Sequence, residues 1–276
     1  MTNNLKTFAL LAGLTALFVW IGGELGGTQG AVIAFILAAA MNFYAYWMSD
    51  KLVLKQYRAQ KVESSDRLYQ IVEKLAAKSG LPMPAVYVVP EKTPNAFATG
   101  RNPEHAAVAA TQGLLQLMND DELAGVMAHE LGHVKHRDML LGTVASTLAG
   151  AISMIAQISR YSNRSSNQRG NPLLLIFVLV GVPIAAMIIR MTISRVREFD
   201  ADKESADLTG MPLALANALQ KLKAGVAQVP MSKGNPAHAH MFIVNPFLGG
   251  LANLMSSHPP VEERVKRLQA MAVQAA

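Results

Sequence analysis

The sequence predicts a mainly α-helical protein with a small β-sheet, built from multi-pass membrane helices and a discontinuous soluble domain. Two observations carry this. Four long apolar runs interrupt the 276 residues. Only 16% of the residues are charged, against 51% hydrophobic, whereas soluble domains carry about 25% charged. The mean hydropathy of +0.23 agrees. There is no cysteine, so neither a disulfide nor a thiolate metal ligand is available.

The first run, residues 7–23 (TFALLAGLTALFVWIGG), and the second, 31–48 (AVIAFILAAAMNFYAYWM), are joined by a short ELGGTQG. Each is near the ~20 residues a bilayer requires. They predict a transmembrane hairpin occupying 1–50. A cleaved signal peptide is the competing reading, and Lys6 before an apolar core is its expected start. No A-x-A site follows, however, and a second span comes at once, which favours a retained anchor. The hairpin tip, 24–30, has no Lys or Arg, while both outer flanks do. The N-terminus and the chain from 51 onward are therefore expected on the cytoplasmic side.

Residues 51–138 read as the first part of the soluble domain. A helix is expected over 64–79, where Leu68, Ile71, Val72 and Leu75 share a face and Gly80 ends it. AVYVV (85–89) and HAAVAAT (105–111) read as strands, with TGRNPE as turn material between them. A helix over 120–136 has its N-cap at Asn119 or Asp120 and acids in its first turn. The third run (139–158) and the fourth (172–190, kinked at Gly181–Pro183) predict a second membrane hairpin over 139–191. Its loop carries Arg160, Arg164 and Arg169, against the positive-inside rule if both runs cross. Full crossing and a partial dip both remain open. Residues 192–276 complete the soluble domain, about 170 residues in all, enough for a core. The net charge of +6 comes from basic residues beside apolar runs (Lys51, Lys55, Arg58, Lys61; Arg190, Arg195, Arg197). That places them at a lipid surface; no aromatic-interleaved groove points to nucleic acid.

The chemistry is concentrated in HELGH, residues 129–133. On a helix, residues i and i+4 share a face about 6 Å apart along the axis, so His129 and His133 can bind one ion. Glu130 projects beside that ion without binding it and can take a proton from water. This is the H-E-x-x-H zincin arrangement. His136 is too far along the axis from His129 to share the ion and reads as a surface histidine. Two ligands do not complete a catalytic zinc site, which uses three and leaves one position open. In SRVREFDADKESADL, Glu198 and Asp202 are again i, i+4. One can bind the ion while the other holds a histidine by its distal ring nitrogen. Equally, both can be surface acids pairing with Arg195 or Arg197. His238 and His240, in a segment rich in Pro and Gly, are rival ligands. Residues 225–247 mix turn residues with Met and Phe and are expected to form a mobile, membrane-near loop guarding the cleft.

HELGHVKHRD, REFDAD and SHPPVEERVKRL, with PNAFATGRNPEHAAVAATQGLL and HMFIVNPF, resemble the HtpX-type membrane zinc metalloproteases, bacterial relatives of the CAAX prenyl endopeptidases. The resemblance runs through essentially the whole chain. It implies a zincin-like (gluzincin) catalytic domain with one Zn2+ per chain, bound by His129, His133 and Glu198. It implies Glu130 as general base and Asp202 as the partner of a ligand. His258 and Arg264 match an H-P-P-x-x-x-R element, which can steady the oxyanion of the intermediate or simply start a helix. Asn95 and the strand holding Ala107, Val108 and Ala109 resemble the substrate grip; a plain core strand is the alternative. The implied setting is the bacterial inner membrane, with the catalytic domain in the cytoplasm. The resemblance also implies polypeptide substrates among membrane or misfolded proteins, a part in quality control and stress response, and other membrane quality-control proteases as partners.

Two other functions compete. An intramembrane protease would embed HExxH in an apolar span, but Asn119, Asp120 and Asp121 precede the motif and Lys135, His136 and Arg137 follow it. A non-enzymatic membrane scaffold with a structural zinc leaves Glu130 without a task and lacks an evident fourth ligand.

Overall fold

A computed structural model describes residues 3–140, 142, 144, 195–231, 236–247 and 259–275. Helix α1, Asn3–Gln56, is broken at Gly26–Gly27, where Gly27 has a φ of 59°. That left-handed backbone suits glycine and folds α1 into two antiparallel arms. The arms touch where Gly22 meets Gly30; a Cβ on Gly22 would lie 2.6 Å from the Gly30 carbonyl oxygen. Asn42 ties them together, donating to Thr15 Oγ1 (2.8 Å) and the Leu11 carbonyl (3.2 Å). The outward side is oily: Phe8, Trp20, Ile33, Phe35, Ile36 and Phe43 are all more than half exposed. Thr7–Glu24 and Gly26–Met48 are long and apolar enough to cross a membrane, and only 19% and 11% of them is buried, unlike the core helix of a soluble protein. Most of the second hairpin expected at 139–191 lies outside the described residues.

Beyond the membrane arms comes a four-stranded sheet with order β1-β2-β4-β3. Its strands are β1 (Gln60–Lys61), β2 (Ala85–Val89), β3 (Ala96–Gly100) and β4 (Ala106–Thr111). β2 and β4 run parallel; β1 on β2 and β3 on β4 run antiparallel. Both faces are covered. Ala96, Ala98, Ala106, Val108 and Ala110 belong to the main core with the helices. Phe97, Ala107 and Ala109 face the other way, onto Val53, Leu54 and Tyr57 at the end of α1 and onto Phe242 and Phe247. This two-sided burial explains why β4 reads as an unbroken apolar run.

The helices of this layer are α2 (Arg67–Ser79), the short α3 (Gln112–Leu117), α4 (Asp120–Lys135), α5 (Arg195–Thr209), α6 (Pro212–Gln228) and α7 (Val261–Ala275). Asp66 caps α2 and Gly80 ends it with φ 68°. The main core takes residues from both sides of 141–194: Leu68, Val72, Val126 and Leu131 with Leu215, Leu219 and Leu268.

Two expectations are corrected by the structure. Residues 225–247 are not a loose loop where described: 225–228 finish α6, and Ala239, Phe242, Ile243 and Phe247 are buried. Their apolar side chains close the second face of the sheet, and Ile243 N–H donates to the Ala96 carbonyl (3.3 Å). Nor does β4, whose resemblance to a substrate grip implies an open edge for a peptide, lie at one. It lies between β2 and β3, and the edge next to it is β3.

Candidate metal centre

Helix α4 is set by a full capping box: Asn119 Oδ1 accepts from Glu122 N–H (2.9 Å), and Glu122 Oε2 accepts from Asn119 N–H (3.1 Å). Most of it is buried, polar residues included; His129 is 1% exposed and Glu130 2%. Glycines let its neighbours come close. At Gly132 a Cβ would sit 3.2 Å from Ala201 Cα on α5. At Gly125 the same atom would meet the Leu215 backbone at 3.1 Å, and Ser205 Oγ donates to the Gly125 carbonyl (2.7 Å). The α4–α5 contact brings Glu198, 6% exposed, and Asp202, 1% exposed, against the two histidines.

One ligand atom each from His129, His133 and Glu198 lies within 4.8 Å of the others. The two Nε2 atoms are 3.2 Å apart. Glu198 Oε1 is 3.6 Å from His133 Nε2, and Oε2 is 3.8 Å from His129 Nε2. A tetrahedral ion with bonds of about 2.0–2.2 Å needs ligand atoms roughly 3.3–3.6 Å apart. The three side chains therefore fit such an ion with small adjustment. Two imidazole lone pairs facing each other at this distance call for a proton or a cation between them.

The distal nitrogens set which ring atom points inward. His129 Nδ1 lies 3.0 Å from Asp202 Oδ1, so its hydrogen belongs there and Nε2 is left for an ion. Arg264 holds Asp202 from behind, Nε to Oδ2 at 2.8 Å and Nη2 to Oδ1 at 2.6 Å. Its Nη1 donates to the Ile243 carbonyl (3.2 Å). Burial would raise the Asp202 carboxyl, but the Arg264 guanidinium outweighs it and holds the group below the usual range. Burial, and then the charge of Arg264, pushes His129 down to about 4. His133 goes the other way. Burial would lower it too, yet the Asp138 hydrogen bond and the Glu198 and Glu130 charges raise it to about 9. Without an ion the pair thus keeps one neutral and one charged ring.

The structure brings His129, His133, Glu198 and Asp202 together with Arg264. It puts Arg264 at 0% exposure within the cluster: besides holding Asp202 and Ile243, its Nη2 lies 3.3 and 3.4 Å from the His129 ring nitrogens and its Nη1 lies 3.7 Å from Glu198 Oε2. Asn95 is also fully buried, donating from Nδ2 to the Val244 carbonyl (2.6 Å). It pins the 236–247 segment to the start of β3. Ala107, Val108 and Ala109 have ladder partners on both sides, so no main-chain edge remains on β4 for a peptide. His238 is buried in an aromatic cluster, with Nδ1 3.2 Å from Tyr57 Oη, away from the ion cluster. The side chain of His240, and all of His258, lie outside the described residues. His136 is exposed at the end of α4, as the sequence suggests. One participant is not foreseen from the sequence: Asp138 Oδ2 lies 3.2 Å from His133 Nδ1. No helical spacing announces it, because it follows a turn rather than a helix.

Comparison with known proteins agrees with this geometry. The family model for peptidase family M48 matches residues 63–272. A protease HtpX homolog of Syntrophotalea carbinolica is 51% identical, covering 98% of this chain and 99% of that protein. One from Sulfurovum sp. is 52% identical, with the same coverage, and one from Ralstonia pickettii is 51% identical. Among solved structures, S. mikatae Ste24p superposes with a TM-score of 0.53 at 19% identity. That match covers 96% of this chain and 64% of Ste24p, and shows a shared fold. With half its residues shared with proteases over nearly its full length, the chain belongs to peptidase family M48 and is a membrane metalloprotease.

Proposed function

We propose that the ion is zinc, one per chain, held by His129, His133 and Glu198, and that Glu130 is the general base of peptide-bond hydrolysis. The convergence of two Nε2 atoms and a carboxylate around one point carries this reading. A bound zinc supplies Lewis acidity, lowering the pKa of water toward ~7 and polarising a scissile carbonyl. The chain does the rest. Glu130, next to the first ligand and buried, takes a proton from the attacking water and passes it to the leaving nitrogen. Asp202, held by Arg264, fixes the His129 tautomer, and Arg264, beside Glu198 and His129 Nε2, also keeps the oxyanion role that the resemblance gives it. His258 keeps the oxyanion role on resemblance. The substrate grip is assigned to the β3–β4 pair on resemblance, with β3 rather than β4 as the outer strand.

Residues 51–138 and 192–276 are proposed as the two parts of one catalytic domain, with hairpins at 1–50 and 139–191. The lipid boundary falls near Trp47. Arg101 stacks over that ring at 4.5 Å, and Lys51 and Lys55, on the same helix stripe, are exposed just beyond. By the positive-inside rule the catalytic domain faces the cytoplasm, and the substrates are membrane or misfolded polypeptides. The structural-zinc scaffold has no support from the relatives, which are proteases.

The test is digestion of an unfolded polypeptide in detergent by protein stripped with chelator and then given zinc. Activity should vanish and return. Glu130→Gln should keep the metal and lose about 10²–10⁴-fold in rate. A variant with wild-type activity would end the proposed role of Glu130.

A further inference from the structure

Each histidine of the metal cluster is backed by its own aspartate, and each aspartate by its own arginine. On His129 these are Asp202 and Arg264. On His133 they are Asp138, at 3.2 Å, and Arg197, whose Nη1 is 3.3 Å from Asp138 Oδ1. We propose that Asp138 and Arg197 are positioning residues for His133 and that this second chain sets the metal affinity of the site. The inference rests on the zinc reading above.

Three features carry it. First, Asp138 is placed by backbone, not by chance proximity. Its N–H donates to the His133 carbonyl (3.0 Å), and the turn that returns it there puts Arg137 at φ 56°. That is an uncommon conformation for a residue with a side chain. The same turn therefore fixes the ligand and the carboxylate that orients it. Second, the two oxygens of Asp138 divide their work, Oδ2 to the imidazole and Oδ1 to the guanidinium. A carboxylate on the distal nitrogen fixes the tautomer and makes the ring a stronger donor to a metal. Third, Arg197 adjoins Glu198. Its contact with Asp138 joins the turn of α5 that carries the third ligand to the end of α4 that carries the second. The two partners are 59 residues apart in sequence and flank residues 141–194.

The two chains differ in exposure. The Arg264 and Asp202 side chains are 0% and 2% exposed, against 15% and 7% for Arg197 and Asp138, and the His133 side chain is 17% exposed. The His133 side is the one within reach of solvent and the one held by longer contacts.

The experiment measures zinc affinity by competition with a chromophoric chelator. It uses full-length protein in detergent, in a Glu130→Gln background so that proteolysis does not intervene. Asp138→Ala should raise Kd about 10–100-fold. Asp138→Asn should raise it less, because an amide oxygen still accepts from Nδ1. Arg197→Gln should also weaken binding, and Arg197→Lys should restore part of the loss. The cobalt-loaded Asp138→Ala protein should show an altered d–d spectrum. Unchanged Kd in Asp138→Ala and Arg197→Gln overturns the proposal, and so does a lower unfolding temperature of the ion-free protein without a change in Kd. Should Asp138→Ala not fold, Asp138→Asn and Arg197→Gln separate the same two outcomes. A folded parent protein that takes up no zinc counts against the site itself, not against this pair.

Discussion

Helices α1 and α4 invert each other. The arms of α1 turn Phe8, Ile36 and Phe43 outward and keep Thr7 and the Asn42–Thr15 bond inside. Helix α4 also hides polar groups, but there they are His129, matched by Asp202 and Arg264, with the buried Glu130 beside it and His133 matched by Asp138. Both use glycine to let helices touch, Gly22 on Gly30 in the first and Gly132 on Ala201 in the second. In lipid the close approach gives packing and satisfies a few polar atoms. In the catalytic layer it sets how far a carboxylate stands from two imidazoles. The same device serves adhesion in one place and ligand geometry in the other.

That difference can be probed directly. Replacing Gly132 by Val forces a branched side chain against Ala201 Cα, already 3.2 Å from a mere Cβ. Overpacking of this kind costs about 1–3 kcal/mol. The larger consequence should be at the metal: α5 is pushed away, Glu198 withdraws, and zinc affinity drops by more than the ~10–100-fold typical of losing an orienting partner. Chelator competition checks it, and a fall in stability with unchanged affinity would break the parallel between the two helices.

Acidity should act on the catalytic layer alone. His133, raised to about 9 in the ion-free protein, carries a proton at neutral pH that metal must displace. Affinity for zinc should weaken by about tenfold for each pH unit lowered from 9 toward 7. In the ion-free protein the sign is opposite. Because the folded pKa is raised above 6.5, the stabilisation is full below 6.5 and is lost as pH rises through about 9. Calorimetry in buffers of different ionisation enthalpy should find about one proton released per ion near pH 7–8.

The smallest effect belongs to the hairpin. Asn42→Leu removes the bonds to Thr15 and Leu11. An interhelical bond of this type is worth about 0.6 kcal/mol in a bilayer. The unfolding midpoint in detergent should move slightly and zinc affinity not at all. A change in affinity would mean that the two regions are coupled more tightly than their packing suggests.

Much of the molecule is legible in the sequence because the signals are local. Apolar length announces the first hairpin, Gly80 ends α2, and the i, i+4 spacings of His129/His133 and Glu198/Asp202 foretell facing side chains. What stays hidden depends on pairing across the chain. AAVAA looks the same in a central strand and at an edge, and only the partner strands β2 and β3 decide. β3 itself is not anticipated, since its last two residues, Thr99 and Gly100, fall in TGRNPE, which reads as turn. His238 has the residue type of a ligand, but it is buried against Tyr57, which itself packs on Phe97 and Phe242. Arg264 reads as a cleft residue from sequence, but one edge of its guanidinium grips the buried Asp202 while Nη1 turns to the Ile243 carbonyl and Glu198. Asp138 follows an αL residue, a backbone state that no periodicity encodes.

The central claim is a single ion shared by two turns of α4 and one turn of α5. Zinc stoichiometry of desalted wild-type protein beside Glu198→Ala, both verified as folded in detergent, tests it most directly. One zinc per chain in the wild type and close to none in the variant is the expected result. Equal zinc in both proteins, or none in either, would contradict the account.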